Sequence, residues 1–174
     1  MFDGRIYFDF SEPAVWRFYR FLTAAARGGS ELQLEWRSFL AEDGSHAGLV
    51  ALASFEAVRD QHPARHGAYL QAMLSLHHLD AANLDSDETL RTAAEAAAVP
   101  VSVPLSWERY RERVTTSTDE GHALGVNAVP TIYRHGPVMR IDVNAASYEG
   151  DVTGRLRLIE LILEDDGIWG LMKP

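Results

Sequence analysis

β-type patterning occurs in only two stretches of this chain, at its start and after residue 130, and the residues between them read almost entirely as helix. That order limits the fold more than any other feature, because the sheet must be assembled from strands far apart in sequence. Arg5 to Phe10 alternates and is rich in aromatic and β-branched types, a strand signature. Ser11-Glu12-Pro13 stops it and starts a helix, with Pro13 suited to a first helical turn and Ser11 or Glu12 as the cap. Val15, Phe18, Leu22 and Ala25 then recur at helical spacing, with Arg17, Arg20 and Arg27 on another side. Gly28-Gly29-Ser30 ends the helix, and Leu32 to Phe39 alternates as a second strand. Strand, helix and strand in this order predict a parallel βαβ unit.

Residues 40 to 50 read as loop, with Asp43-Gly44-Ser45 as a turn signal. From about residue 51 to 124 the pattern is helical, interrupted at Pro63. Tyr69, Leu70, Met73, Leu74 and Leu76 supply an apolar stripe. Asp85-Ser86-Asp87-Glu88 opens a further helix, with Asp85 and Glu88 spaced as a capping pair. Pro104 and Ser106 start another, through Trp107, Tyr110 and Val114 to Leu124. Thr131 to Arg134 and Val138 to Ile141 form a hairpin around His135-Gly136-Pro137. A last amphipathic helix, Val152 to Leu163, follows. The class is α/β, ordered βαβ, helices, ββα.

A chain of 174 residues, 47% hydrophobic and 24% charged, suits one domain or a domain carrying an insertion. The formal net charge of −9 opposes a nucleic-acid partner or an anionic membrane surface. No stretch reaches the roughly 18 apolar residues that span a bilayer. The N-terminus shows no basic region followed by an apolar core, which predicts a cytoplasmic protein. The cysteine count is zero, so the chain can neither form nor attack a disulfide.

Two local signatures carry a family resemblance. Tyr7-Phe8-Asp9-Phe10-Ser11-Glu12-Pro13-Ala14-Val15-Trp16-Arg17 resembles the first strand of the DsbA family running into its Cys-Pro-x-Cys motif. Gly125-Val126-Asn127-Ala128-Val129-Pro130-Thr131 resembles that family's Gly-Val-x-Gly-Val-Pro-Thr loop, whose proline is cis. The resemblance covers almost the whole chain. It implies a thioredoxin fold with an inserted all-helical domain, with residues 1–45 and 119–174 forming the thioredoxin-like part and 46–118 the insertion. On this alignment Glu12 stands at the nucleophilic cysteine and Val15 at the resolving one, so both redox positions are absent.

The candidate site follows from the same alignment. Glu12 would be a fixed anion at a helix N-terminus, where the family has a switchable thiolate. Kappa-class glutathione transferases and 2-hydroxychromene-2-carboxylate isomerases share the fold and use a serine beside the helix start. Ser11 is one residue early for that role, and Glu12 would repel a thiolate. Pro130 is the strongest site residue, since X–Pro bonds alone become cis cheaply. In relatives, the edge at Val129 pairs with an extended peptide or a thiol tripeptide. Pro13, Trp16, Val129, Pro130 and Thr131 are therefore the expected binding residues, and Ser11, Glu12 and His122 the candidate catalytic ones. His122 is placed by its position eight residues before Pro130.

His62 and His66 share metal-site spacing, but Pro63 lies between them, and adjacent His77 and His78 point apart on a helix. No metal site is expected. The apolar segment Gly167-Ile168-Trp169-Gly170-Leu171-Met172 is expected to dock on the body or on a second subunit of a homodimer. Two functions compete. One is a redox-inactive binder of extended peptide or small thiol, requiring no cofactor. The other is a transferase or isomerase using glutathione or mycothiol, with Ser11 near the sulfur.

Overall fold

The computed structural model describes residues 1–41, 46–136, 138–144 and 150–164. The turn at Asp43-Gly44-Ser45, Pro137 of the hairpin turn and the apolar C-terminal segment lie outside the described residues. The first strand, β1 (Phe2–Phe8), leads into α1 (Pro13–Arg27) and then β2 (Leu32–Ser38). Next come α2 (His46–Gln61), α3 (His66–Asp80), α4 (Asp87–Ala96), a 3-10 helix (Pro104–Tyr110) and α5 (Arg111–Ala123). The chain closes with β3 (Thr131–Tyr133), β4 (Val138–Arg140) and α6 (Val152–Glu164).

One four-stranded sheet has the order β2-β1-β3-β4. β1 and β2 are parallel, from Phe2 opposite Leu32 to Phe8 opposite Ser38. β3 returns antiparallel to β1, with Ile132 opposite Ile6 and Thr131 opposite Tyr7. The helices from α2 to α5 all fall between β2 and β3 in the chain, and α5 runs unbroken across residue 118.

Successive side chains of a strand go to opposite faces of the sheet. Phe8 therefore meets Phe10, Trp36 and Phe55 edge-on, while Tyr7 meets Phe39 on the other face. α5 passes close over that second face at Gly121. A Cβ there would lie 2.8 Å from Phe39 Cδ2 and 3.1 Å from Tyr7 Cε1. Both rings are buried and cannot yield, so Gly121→Ala creates an overpacked contact of about 2 kcal/mol against a helix-propensity gain of about 1. The expected net loss of about 1 kcal/mol is measurable by urea unfolding, and a stabilised variant would contradict this packing.

Two expectations need correction. The stretch taken as loop through residue 50 is helical from His46. Every residue from Val50 to Val58 in α2 is buried, so this part of the helix is enclosed all round and lacks the one-sided stripe that marks a surface helix. Asp85 does not cap α4: Ser86 holds the N-cap position with no side-chain bond, and Asp87 and Glu88 fill the first turn. The one acid within the α2 core, Glu56, is fully buried. It accepts a 2.6 Å hydrogen bond from Ser38 Oγ and lies 2.6 Å from Arg59 Nη2.

Candidate functional site

The corner between β1 and α1 is built on a residue that the strand pattern conceals. Asp9 is 1% exposed, between two buried phenylalanines. Its Oδ1 accepts from the Ser11 N–H at 3.0 Å and from Ser11 Oγ at 2.8 Å, and its Oδ2 accepts from the Ala41 N–H at 3.3 Å. Gly48 of α2 brings its backbone against the same carboxylate. A hydroxyl has a single proton to donate, and that of Ser11 goes to Asp9. Ser11 therefore caps nothing. The N-cap of α1 is Glu12, in an extended conformation without a side-chain capping bond, and Pro13 is the first helical residue. Two carboxylates, Asp9 and Glu12, thus flank Ser11, with Glu12 in the favourable field of the helix N-terminus.

Trp16, one turn further on, stacks between Tyr19 and His78 at centroid separations of 6.1 and 6.0 Å. His78 Nε2 lies 2.9 Å from the Phe10 carbonyl oxygen. A carbonyl only accepts, so this nitrogen carries the hydrogen and ties α3 to the corner. Burial, helped by the neighbouring charge of His77, pulls the His78 imidazole down from 6.5 to about 4 against the opposing pull of that carbonyl. The unfolded chain therefore takes up this proton first. The resulting penalty is absent above pH 6.5 and grows as the pH falls toward about 4. For a half-buried ring it amounts to about 1–2 kcal/mol after screening. A His78→Gln variant is expected to flatten the stability profile across that window, and an unchanged profile would contradict the assignment.

The second half of the site is the loop before β3. Gly125, at φ +89°, turns the chain out of α5, and the Val129–Pro130 peptide is cis. Continuing the β1–β3 register past Tyr7 opposite Thr131 puts Pro130 beside Phe8 and Val129 beside Asp9. The topology therefore brings this loop to the Ser11 corner. Thr131 Oγ1 donates to the Ala128 carbonyl at 2.6 Å, and the Ile141 N–H donates to the Pro130 carbonyl at 3.0 Å. Between those two paired carbonyls, the N–H and C=O of Val129 form no hydrogen bond among the described residues. This stretch is covered: Val129 is 3% and Thr131 4% exposed, and Pro130 is also buried.

His122 is exposed at the end of α5. It is held by the Val126 carbonyl, 3.1 Å from its Nδ1, and by the Phe39 ring, 4.9 Å away. Among the described residues no hydrogen bond, ion pair or ring contact joins it to Ser11 or Glu12. No group of three or more acidic or histidine side chains poised for a metal ion occurs among the described residues, and no described helix is long and apolar enough to cross a membrane.

Neither a family model nor a curated protein sequence matches the chain. Solved structures do. The cytosolic disulfide reductase DsbM from Pseudomonas aeruginosa superposes with a TM-score of 0.65 at 13% identity, covering 93% of this chain and 98% of that one. The same reductase with GSH gives 0.62 at 14% identity over 94% and 100% of the two chains. DsbA from Pseudomonas aeruginosa gives 0.64 at 15% identity over 93% and 82%. The chain has the DsbA-like thioredoxin fold. The chain carries no cysteine, and its first helix starts at Glu12-Pro13-Ala14-Val15.

Proposed function

We propose that this chain is a redox-inactive DsbA-like protein that binds an extended peptide or a small thiol along the Val129–Pro130 loop. The backbone of Val129, which forms no hydrogen bond among the described residues, carries the reading. A buried N–H and C=O without partners cost about as much as lost hydrogen bonds, so a ligand backbone that supplies both is favoured there. An extended peptide does so by strand addition, with no need for a sulfur atom on the protein. Because Val129 is covered in the free protein, binding displaces the side chains above it. A small thiol such as glutathione presents the same backbone groups, and the reductase solved with GSH shows that a protein of this fold was combined with one. A cytoplasmic location and the absence of a required cofactor belong to this reading.

The transferase reading meets an obstacle at Ser11. Its proton is held by Asp9 at 2.8 Å, and a ligand thiolate placed beside it would face the charges of Asp9 and Glu12. Amide-detected nuclear magnetic resonance titrations with glutathione, mycothiol and an extended peptide test the proposal. The expected result is saturable shifts at Val129 and Thr131 with at least one of them, and no turnover with a thiol and an electrophile. Unmoved Val129 and Thr131 signals at saturating ligand would overturn it. Turnover that is lost in Ser11→Ala would establish the transferase instead.

A further inference from the structure

Away from the β1–α1 corner, four arginines converge on one pocket of about 450 Å³. Arg37 comes from β2, Arg59 from α2, Arg109 from the 3-10 helix and Arg113 from α5, so widely separated segments build the wall together. Glu112 is the only acid among the described residues of that lining. The carboxylates of Glu35, Glu56, Asp60 and Glu120 pair with three of these cations, so the wall offers oriented guanidinium donors rather than a net positive charge.

Three of the arginines are already anchored. Arg37 pairs with Glu35 and Glu120, Arg59 with Glu56 and Arg113 with Asp60. A guanidinium has five N–H donors in a rigid fork, so these pairs orient the groups and leave donors over. Arg109 has no ion pair or hydrogen bond among the described residues. Arg37 Nε is buried without a hydrogen-bond partner. Ser117 supplies an independent sign. Its residue is 3% exposed, it lines the pocket, and its Oγ has no partner. The flanking hydroxyls of Thr115 and Thr118 donate back to the carbonyls of Arg111 and Val114, as helix hydroxyls do. Ser117 does not, which leaves a buried hydroxyl without a partner among the described residues, beside the arginine wall.

We propose that this pocket binds a small, multiply charged oxyanion of the diphosphate class, such as a diphosphate-bearing metabolite. Arginine forks match phosphate oxygens two at a time. One phosphate group engages one or two such forks, whereas four forks around about 450 Å³ suit a ligand carrying more than one. A long nucleic acid is opposed by the net charge of −9, whereas a small anion needs only a few oriented donors.

Calorimetric titration of the full chain with pyrophosphate, at an ionic strength of about 0.15 M, tests this. Saturable binding is expected, weaker with inorganic phosphate. Arg109→Gln is expected to lower the pyrophosphate affinity by about tenfold, and Ser117→Ala by a few-fold. Arg20→Gln, which alters a pocket between α1 and α3, serves as the control and leaves binding unchanged. Arg109 is exposed and makes no ion pair or hydrogen bond among the described residues, so its loss leaves the fold intact, which an unchanged thermal transition would verify. Absence of saturable binding, or equal affinities for wild type, Arg109→Gln and Ser117→Ala, would overturn the proposal. So would an equal loss in Arg20→Gln, which would mark the response as general screening.

Discussion

Phe8→Ala is expected to destabilise the protein by about 4 kcal/mol. Phe8 is fully buried at the end of the central strand and sits at the hub of three edge-on ring pairs. Its centroid lies 5.1 Å from Phe10, 5.4 Å from Trp36 and 5.2 Å from Phe55. These partners come from the chain after β1, from β2 and from α2, so the cavity left by alanine opens where the sheet meets the helices. Loss of the ring area accounts for most of the cost, and each ring pair adds about 0.5–1.5 kcal/mol beyond area. Phe8→Leu retains much of the volume and is expected to cost about 1.5 kcal/mol. Urea unfolding with an unchanged slope measures both. A loss below about 1 kcal/mol for Phe8→Ala would show that the cluster relaxes around the gap.

Asp9→Ala is expected to cost about 3 kcal/mol, which is large for a residue carrying no apolar area. Its carboxylate accepts from the Ser11 N–H, the Ser11 hydroxyl and the Ala41 N–H, joining the start of α1 to the chain beyond β2. Removal leaves three donors without their acceptor in a largely buried place. Asp9→Asn is expected to recover only part of the loss, because its amide nitrogen faces donors. The same substitution tests the chemistry. With Asp9 absent the Ser11 proton is released and one of the two local charges is gone, so a small thiol should bind Asp9→Ala more tightly than wild type, provided the variant is folded. A weaker thiol affinity in a folded Asp9→Ala would mean that Asp9 assists the ligand.

The fold was legible because its order is unusual and its patterns are local. Alternation marked β1 and β2, Pro13 marked the start of α1, and the Val129-Pro130-Thr131 phrase marked the loop before β3. What escaped depends on contacts between distant residues. The start of α2 was hidden because its first turn, His46-Ala47-Gly48-Leu49, carries no capping residue or apolar period and follows the Asp43-Gly44-Ser45 turn signal. Asp9 read as the polar member of an alternating strand, although an acid between Phe8 and Phe10 in so apolar a run was the available signal. His78 could not be assigned to the corner from sequence, since its partner Phe10 lies 68 residues earlier. The burial of Val129 was equally invisible, because covering groups are set by tertiary packing. The four-arginine pocket draws on residues from Arg37 to Arg113, and no spacing rule connects them.

The most direct test of the central claim is a crystal structure of the protein grown with a saturating extended peptide. The expected result is peptide backbone paired to both the N–H and the C=O of Val129, with the side chains that cover this loop displaced and the Ser11–Asp9 hydrogen bond retained. A peptide bound elsewhere, with Val129 still covered and unpaired, would contradict it.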